Sequence, residues 1–403
     1  MLRTAMGVGL LLASWAPSAF GVQGDGGLPV SGKPVPELAA FDAAMLNHMN
    51  QYGVEAGILG VMKDSEVVYL RGFGYLSPGI AGLGIPGTPL SEMAMMRLAS
   101  CEKPLTAAAI HKLAAAGALD LEDNVFDLGQ WNGGLLNIAP AGTLATEYLK
   151  IVTVQDLLDH EGGWDRDLIG YDPMFDAVNI AAFFGVPSPP TRQQIASFML
   201  TQPLQHIPGT TFAYSNFGYM LLGLIVEQQS GMSHQAYIQQ AVFEDEDWVP
   251  STELVRGRSY KLFQSPREPW YRSPYMAVNV FDPNGSLVSS PYGGWHQESM
   301  VGHGNMVASA APLLHFLDRY VTIGGSIGLP KGAGLWSASH NGVLDGTNTV
   351  MQQRDSDGVH VVVLFNERND QPHLASSLAA QIYQIVDNQI TSWPTSRRLT
   401  ASG

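Results

Sequence analysis

The sequence predicts an α/β fold of the α+β kind. One antiparallel sheet is built from both ends of the chain and flanked by helices, with a mainly helical insertion between its two halves. Two hairpins and a terminal helix carry that reading. Gly57-Ile58-Leu59-Gly60-Val61-Met62 and Glu66-Val67-Val68-Tyr69-Leu70 are apolar, strand-like runs on either side of Lys63-Asp64-Ser65, which reads as a turn. Near the other end, residues 347–354 and 359–365 repeat the arrangement around Asp355-Ser356-Asp357-Gly358. An amphipathic helix follows over about residues 373–388.

Between the hairpins the chain reads as helix and loop. Ser100-Cys101-Glu102-Lys103 opens an apolar, alanine-rich helix. Residues 152–160 form a second helix, and the turn-rich run 208–219 leads into an apolar helix over 220–229. Residues 313–320 read as a helix, and 334–339 as a strand that runs into His340-Asn341-Gly342. Two stretches, 164–190 and 260–295, are rich in aromatics and turn formers. Long irregular segments in a compact protein are usually lids or binding loops. On the plainer reading, Trp164, Tyr171, Phe175, Trp270 and Tyr271 simply pack the two loops down. Both readings stand at this point.

Composition bounds the rest. A chain of 403 residues with 45% hydrophobic content can bury a large core, and its length alone would allow two or three domains. No internal repeat or low-complexity tract occurs, so repeat architectures drop out. A net charge of −15 argues against nucleic acid, because phosphate binding needs clustered Lys and Arg. Residues 1–21 carry Arg3, an apolar run over 5–13 and then Ala19-Phe20-Gly21, the pattern of a secretory signal peptide. The apolar run is short of the roughly 20 residues that a membrane span requires. The expectation is an exported protein, secreted or periplasmic, with no integral span in the mature chain. Residues 22–40 read as a flexible leader, 41–390 as the folded domain and 391–403 as a tail. Cys101 is the single cysteine, so an intrachain disulfide is ruled out.

The chemistry concentrates on Ser100 and Lys103. Residues three apart share a helix face, so a hydroxyl and an amine meet in one small volume. A serine hydroxyl is a weak nucleophile that needs a base beside it, and a desolvated lysine can supply one. The helix N-terminus adds N–H groups and positive potential suited to an anionic tetrahedral intermediate. No other lysine of the chain has a serine three positions before it.

Further along come Tyr214-Ser215-Asn216 and His340-Asn341-Gly342. The order S-x-x-K, Y-x-N and a short motif ending in Gly on a late strand resembles the serine β-lactamase and penicillin-binding-protein superfamily. The class C β-lactamase-like esterases and D-amino-acid peptidases are the branch it looks most like. Residues 98–123, 152–160 and 307–314 resemble that family's first-motif helix, the helix before its lid and its late helix entry. The similarity therefore runs from about residue 40 to about residue 390.

The resemblance implies a two-part fold with the active site in the seam. It also implies an acyl-enzyme on Ser100, with Lys103 and Tyr214 sharing the proton work as general base and acid. Asn216 would orient Lys103 or hold the substrate's amide. The backbone N–H groups of Ser100 and of Val343, which follows Gly342, would form the oxyanion hole. No metal or cofactor is needed. His340 departs from the Lys-Thr-Gly that β-lactamases and transpeptidases typically carry. A fixed lysine helps hold a substrate carboxylate, and a histidine that is neutral over much of the working range holds it less firmly. An esterase or small-peptide hydrolase, acting on a small-molecule ester or peptide, is the leading expectation. The family includes peptidases of non-ribosomal and D-residue peptides, among them the bacterial hydrolase of linearised microcystin. A β-lactamase or DD-carboxypeptidase is the alternative, and a non-catalytic penicillin-recognising sensor or binding module a further one.

Other residues compete for attention. Gly324-Gly325-Ser326-Ile327-Gly328 matches a nucleophile elbow, which needs a strand before it and a helix after it. A helix before and Leu329-Pro330-Lys331-Gly332 after argue against Ser326. His160, in His160-Glu161-Gly162, ends a helix and is expected beside the lid. His303, in Gly302-His303-Gly304-Asn305, is read as a surface or packing histidine, with a reach to the pocket as the rival reading. Cys101 would point about 100° away from Ser100 on a helix, so only one of the two faces Lys103. Glu102 holds a place that is usually neutral in the family, where an acid can perturb the ionisation of Lys103.

Overall fold

The computed structural model describes residues 27–394 apart from 84, 130–132, 244–250 and 333. The expected signal peptide lies outside the described residues, as does most of the expected tail.

Both hairpins form, and they join edge to edge. Ala56–Lys63 pairs with Glu66–Ser77, and Thr347–Arg354 pairs with Val359–Phe365. The two meet where Ala56–Lys63 runs antiparallel to Val359–Phe365, with Gly57 opposite Phe365 and Lys63 opposite Val359. Thr88–Pro89 extends one side and Ser337–Leu344 the other, giving a six-stranded antiparallel sheet. The strand expected over 334–339 instead begins at Ser337, so His340, Asn341 and Gly342 lie inside it, on the outer strand of the sheet. Its limits follow from pairing: Leu344 lies opposite Thr347 across the Asp345-Gly346 turn, and the ladder ends at Ser337 opposite Arg354. The apolar Leu335 and Trp336 have no ladder partner, and their hydrophobicity misled the local reading.

Alternation along each strand sorts the side chains to two faces. Leu59, Val61, Val361 and Val363 pack with Phe41 and Met45 of the helix Ala39–Tyr52 and with Leu378 and Ile382 of the helix Leu374–Gln389. Ile58, Met62, Val362 and Leu364 belong to the second core, with Leu313, Leu314 and Leu317 of Ala310–Arg319 and the helical insertion. That insertion is built on Lys103–Ala115 and Asn216–Ser230, which pack on each other, the small Ala107, Ala108 and Ala109 permitting close approach.

Two expectations about irregular segments change. Residues 29–38 are docked rather than flexible. Gly74 N–H donates to Pro29 O and Ser31 N–H to Gly72 O, both at 2.8 Å, while Val30 and Val35 pack against the first core. A strand flank offers unpaired backbone groups, and this segment satisfies them. Residues 164–190 are helical in part, over Arg166–Ile169 and Ala177–Phe184. Among the described residues no helix is long and apolar enough to cross a membrane.

Candidate active site

Ser100 follows the short strand Met96–Arg97, which pairs with Met306–Ala308. Ala99 holds a φ of 49°, in the left-handed region that residues with a Cβ rarely adopt, so the chain turns sharply just before the serine. A 3₁₀ turn, Ala99–Glu102, then feeds the α-helix Lys103–Ala115. The outer strand of the sheet closes on this turn from the other side. A Cβ added to Gly342 would lie 2.1 Å from Leu98 O and 2.3 Å from Thr349 Oγ1, so only glycine permits the approach. The Thr349 hydroxyl donates to Leu98 O at 2.9 Å and ties sheet to turn.

Lys103 is fully buried. Its Nζ lies 2.9 Å from Asn216 Oδ1, 3.2 Å from the His303 carbonyl and 3.3 Å from Ser100 Oγ. The Tyr214 hydroxyl is 2.8 Å from the same Ser100 oxygen, and the Lys103 ammonium is 4.8 Å from the centre of the Tyr214 ring. An N-cap sets these positions. The Ser215 hydroxyl accepts from Gly218 N–H at 3.0 Å, which starts the helix at Asn216 rather than at 220 and leaves Tyr214 just outside it.

The cluster borders a cleft of about 830 Å³. Ser100, Tyr214, Asn216, His340 and Val343 line it, as do His160, Arg166 and Phe175. His340 Nδ1 lies 3.0 Å from Thr322 O. Burial, then the Lys103 charge, holds its pKa down to about 4, so the ring is neutral near pH 7. The backbone N–H of Ser215 donates to His160 Nδ1 at 3.1 Å, and the His160 ring stacks 4.6 Å from Tyr214 and 4.7 Å from Tyr219. Burial first and Lys103 second hold His160 down to about 2, so it braces Tyr214 as a neutral ring.

Ser326 ends a one-turn 3₁₀ segment, Gly324–Ser326, with no strand before it and no helix after it, and does not line the cleft. His303 is buried, not a surface residue, and it lines the cleft; its carbonyl holds Lys103 while its ring meets Phe175 edge-on at 5.8 Å. Cys101 is buried with Sγ 3.2 Å from His340 O, and burial pushes its thiol up to about 12, which leaves no thiolate to attack. The Glu102 carboxylate accepts from the N–H groups of Gly302 and Met306, both at 2.8 Å, so it clamps the loop that carries His303; burial pushes it up to about 7.

Sequence reasoning missed two residues of the 164–190 segment. The Arg166 guanidinium lies 4.9 Å from the Tyr214 ring centre, and Asp172 Oδ2 accepts from Asn216 Nδ2 at 2.9 Å. Burial raises the Asp172 pKa, opposed by the Asn216 hydrogen bond and the Arg166 charge. Nothing around Asp172 in sequence marks it, because its partner lies 44 residues away.

A hydroxyl, a buried ammonium and a phenol meeting where an antiparallel sheet joins a helical part is the arrangement of a β-lactamase/transpeptidase-like protein. The beta-lactamase family profile matches residues 41–382, and the chain belongs to that family. It is similar to two proteins described as "Putative D-alanyl-D-alanine carboxypeptidase". One is from Escherichia coli O157:H7, 28% identical over 253 residues, covering 60% of this chain and 54% of the relative. The other is from Escherichia coli strain K12, 27% identical over 258 residues with the same coverage. The chain thus spans about half the length of the curated relatives it matches. Among solved structures it is similar to the D-amino acid amidase from Ochrobactrum anthropi SV3 complexed with D-phenylalanine. The TM-score is 0.62 at 18% identity, covering 88% of this chain and 99% of that one. The octameric penicillin-binding protein homologue from Pyrococcus abyssi is also similar, with a TM-score of 0.60 at 20% identity, covering 89% and 79%. At such identities the likeness is one of fold. Carboxypeptidases and amidases are hydrolases, and the family context is hydrolytic.

Proposed function

We propose that this protein is a serine hydrolase that cleaves an ester or amide bond through an acyl-enzyme on Ser100, acting on small esters or peptides. One observation supports this most: Tyr214 OH at 2.8 Å and Lys103 Nζ at 3.3 Å converge on the Ser100 hydroxyl at the edge of the cleft. Ser100 Oγ attacks the carbonyl carbon while its proton passes to the Tyr214 oxygen, which reacts as the tyrosinate beside the Lys103 ammonium. The backbone N–H groups of Ser100 and Val343 stabilise the oxyanion. Collapse of the tetrahedral intermediate breaks the bond to the leaving group, which takes a proton from the Tyr214 phenol. Water, giving its proton to the same oxygen, then attacks the acyl-enzyme, releases the acid and restores Ser100. Asn216 holds Lys103 in place throughout.

The neutral His340, engaged at Nδ1 by Thr322 O, supplies no fixed positive charge for a substrate carboxylate. That favours neutral esters and peptides, including D-residue or non-ribosomal ones, over penicillins and D-Ala termini. Phe175, Phe212 and Ile323 are exposed and line the cleft, which favours a bulky apolar group beside the scissile bond. The leader read in residues 1–21 extends the proposal to an exported enzyme. The test is parallel kcat/KM measurement on a short-chain para-nitrophenyl ester, a hydrophobic D-residue peptide amide and nitrocefin. Ester or peptide turnover is expected to exceed β-lactam turnover. A β-lactam advantage of orders of magnitude would make this a β-lactamase, and a single stoichiometric burst on every substrate would make it a sensor.

A further inference from the structure

Residues 164–190 reach the site at three points. Arg166 lies over the Tyr214 ring, Asp172 bonds Asn216, and Phe175 meets His303, whose carbonyl holds Lys103. The middle contact has a directional consequence. A side-chain amide has an accepting end and a donating end of nearly the same shape, and rotation by 180° exchanges them. In Asn216 the oxygen receives Lys103 Nζ at 2.9 Å and the nitrogen donates to Asp172 Oδ2 at 2.9 Å. Reversed, the amide would turn N–H groups toward an ammonium and its oxygen toward a carboxylate, both repulsive. An ionised carboxylate only accepts, so Asp172 selects the orientation that serves Lys103. The Asp172 side chain is only 13% exposed, and Arg166 Nη1 stands 3.9 Å from the same oxygen. A chain of alternating donors and acceptors therefore runs Asp172, Asn216, Lys103, Ser100, with the Arg166 charge beside its first member.

We propose, resting on the Ser100 acyl-enzyme reading, that Asp172 is a positioning residue of the reaction: by fixing the Asn216 amide it fixes the Lys103 ammonium against Ser100. The 164–190 segment is then part of the catalytic apparatus as well as a wall of the cleft. A purely structural Asp172, which also precedes the turn Pro173–Phe175, would act on melting temperature and KM. A positioning Asp172 acts on kcat.

The experiment uses the full chain and para-nitrophenyl butyrate. Asp172→Leu keeps the bulk and removes the acceptor; kcat is expected to fall on the order of ten- to a hundredfold while KM stays within about threefold. Asp172→Asn keeps an accepting oxygen and should recover most of kcat. Asn216→Asp sets two carboxylates against each other, and adding Asp172→Asn restores a reversed donor–acceptor pair. The double variant should therefore be more active than Asn216→Asp alone. This second pair carries the test if Asp172→Leu fails to fold. Wild-type kcat in Asp172→Leu, an effect confined to KM, or a double variant no better than Asn216→Asp would overturn the inference. Turnover surviving in Ser100→Ala would overturn the serine-nucleophile reading itself, whatever the Asp172 variants do.

Discussion

Residues 164–190 and 260–295 look alike in sequence, each a mixture of aromatics with Pro, Gly and Asp. The fold gives them different partners. The first directs Arg166 and Phe175 to the cleft and Asp172 to Asn216. The second supplies none of the cleft's lining and closes instead on Arg97, three residues before the serine. The Arg97 guanidinium lies 4.3 Å above the Tyr271 ring and about 6 Å from those of Tyr292 and Trp295. It donates to Pro291 O at 3.0 Å and to Arg258 O at 2.8 Å. Tyr271 OH accepts the Arg97 backbone N–H at 2.8 Å and donates to Glu268 at 2.8 Å. Aromatic rings offer the same apolar area and the same electronegative face in both places. What differs is whether a ring meets solvent and substrate or a buried cation. One segment faces the cleft, and the other holds the strand that leads into Ser100.

Four measurements test that contrast. The largest effect sets the reference: Ser100→Ala should lower turnover by about a thousandfold or more without changing the melting temperature. Ser326→Ala should leave both unchanged. A fluorophosphonate adduct mapped by mass spectrometry to any residue other than Ser100 would remove the site from the first segment's reach.

Arg97→Ala tests the second segment. It leaves two carbonyls unpaired and an aromatic cage empty, and should cost about 3 kcal/mol or more of stability in urea unfolding. The folded enzyme should keep kcat within about threefold of wild type, since Arg97 itself meets no reacting group. A kinetic loss without a stability loss would reverse the roles assigned here.

Acid acts through histidines that lie outside both segments, because neither stretch contains one. Burial holds His160, His234, His315 and His340 at about 2, 3, 4 and 4. An unfolded chain would protonate them near about 6.5. Below that pH the unfolded state binds protons that the folded state refuses, so stability falls as pH drops from about 6.5 toward 4. Glu102 and Glu367, raised to about 7 by burial, act in the opposite sense. Their contribution is full at low pH and is lost as pH rises through about 7, and burial raises Asp172 and Glu268 likewise. Burial also lowers His48, His111, His296 and His303, so the histidines prevail. The melting temperature should therefore fall on acidification, and Glu102→Gln should steepen the fall. A level or rising melting temperature would contradict the assignment.

The smallest effect belongs to Arg166→Gln. Its guanidinium is partly exposed, so stability should change by no more than about 0.5–1 kcal/mol. kcat/KM should drop by roughly tenfold through loss of the charge beside Asp172 and Tyr214. Equal kinetics in Arg166→Gln and wild type would reduce the first segment to a wall.

Much of this is legible in the sequence. The two hairpins announced themselves because strand-like runs bounded by turn residues are local signals, and the S-x-x-K spacing because one helical turn brings its ends together. Other features left no such trace. The His303 contribution to Lys103 is a carbonyl, which every residue has. The helix at Asn216 begins four residues earlier than its apolar run suggests, because a serine N-cap decides the start. The outer strand runs from Ser337 because cross-strand pairing, and not the apolar Leu335 and Trp336, sets its limits.

Short-range spacing sets the order of the elements, the alternation that gives the sheet two buried faces, and the pairing of one serine with one lysine. Each of these depends on spacings of a few residues, where backbone geometry alone decides what meets. Long-range packing settles which aromatic segment faces the cleft, that Asp172 orients Asn216, and that Gly342 must be glycine. Those contacts bridge wide gaps in the chain: 44 residues between Asp172 and Asn216, 113 between Lys103 and Asn216, 200 between Lys103 and His303. At such separations no local preference links the partners, and they meet only because the buried faces of the sheet and the helices pack in one arrangement.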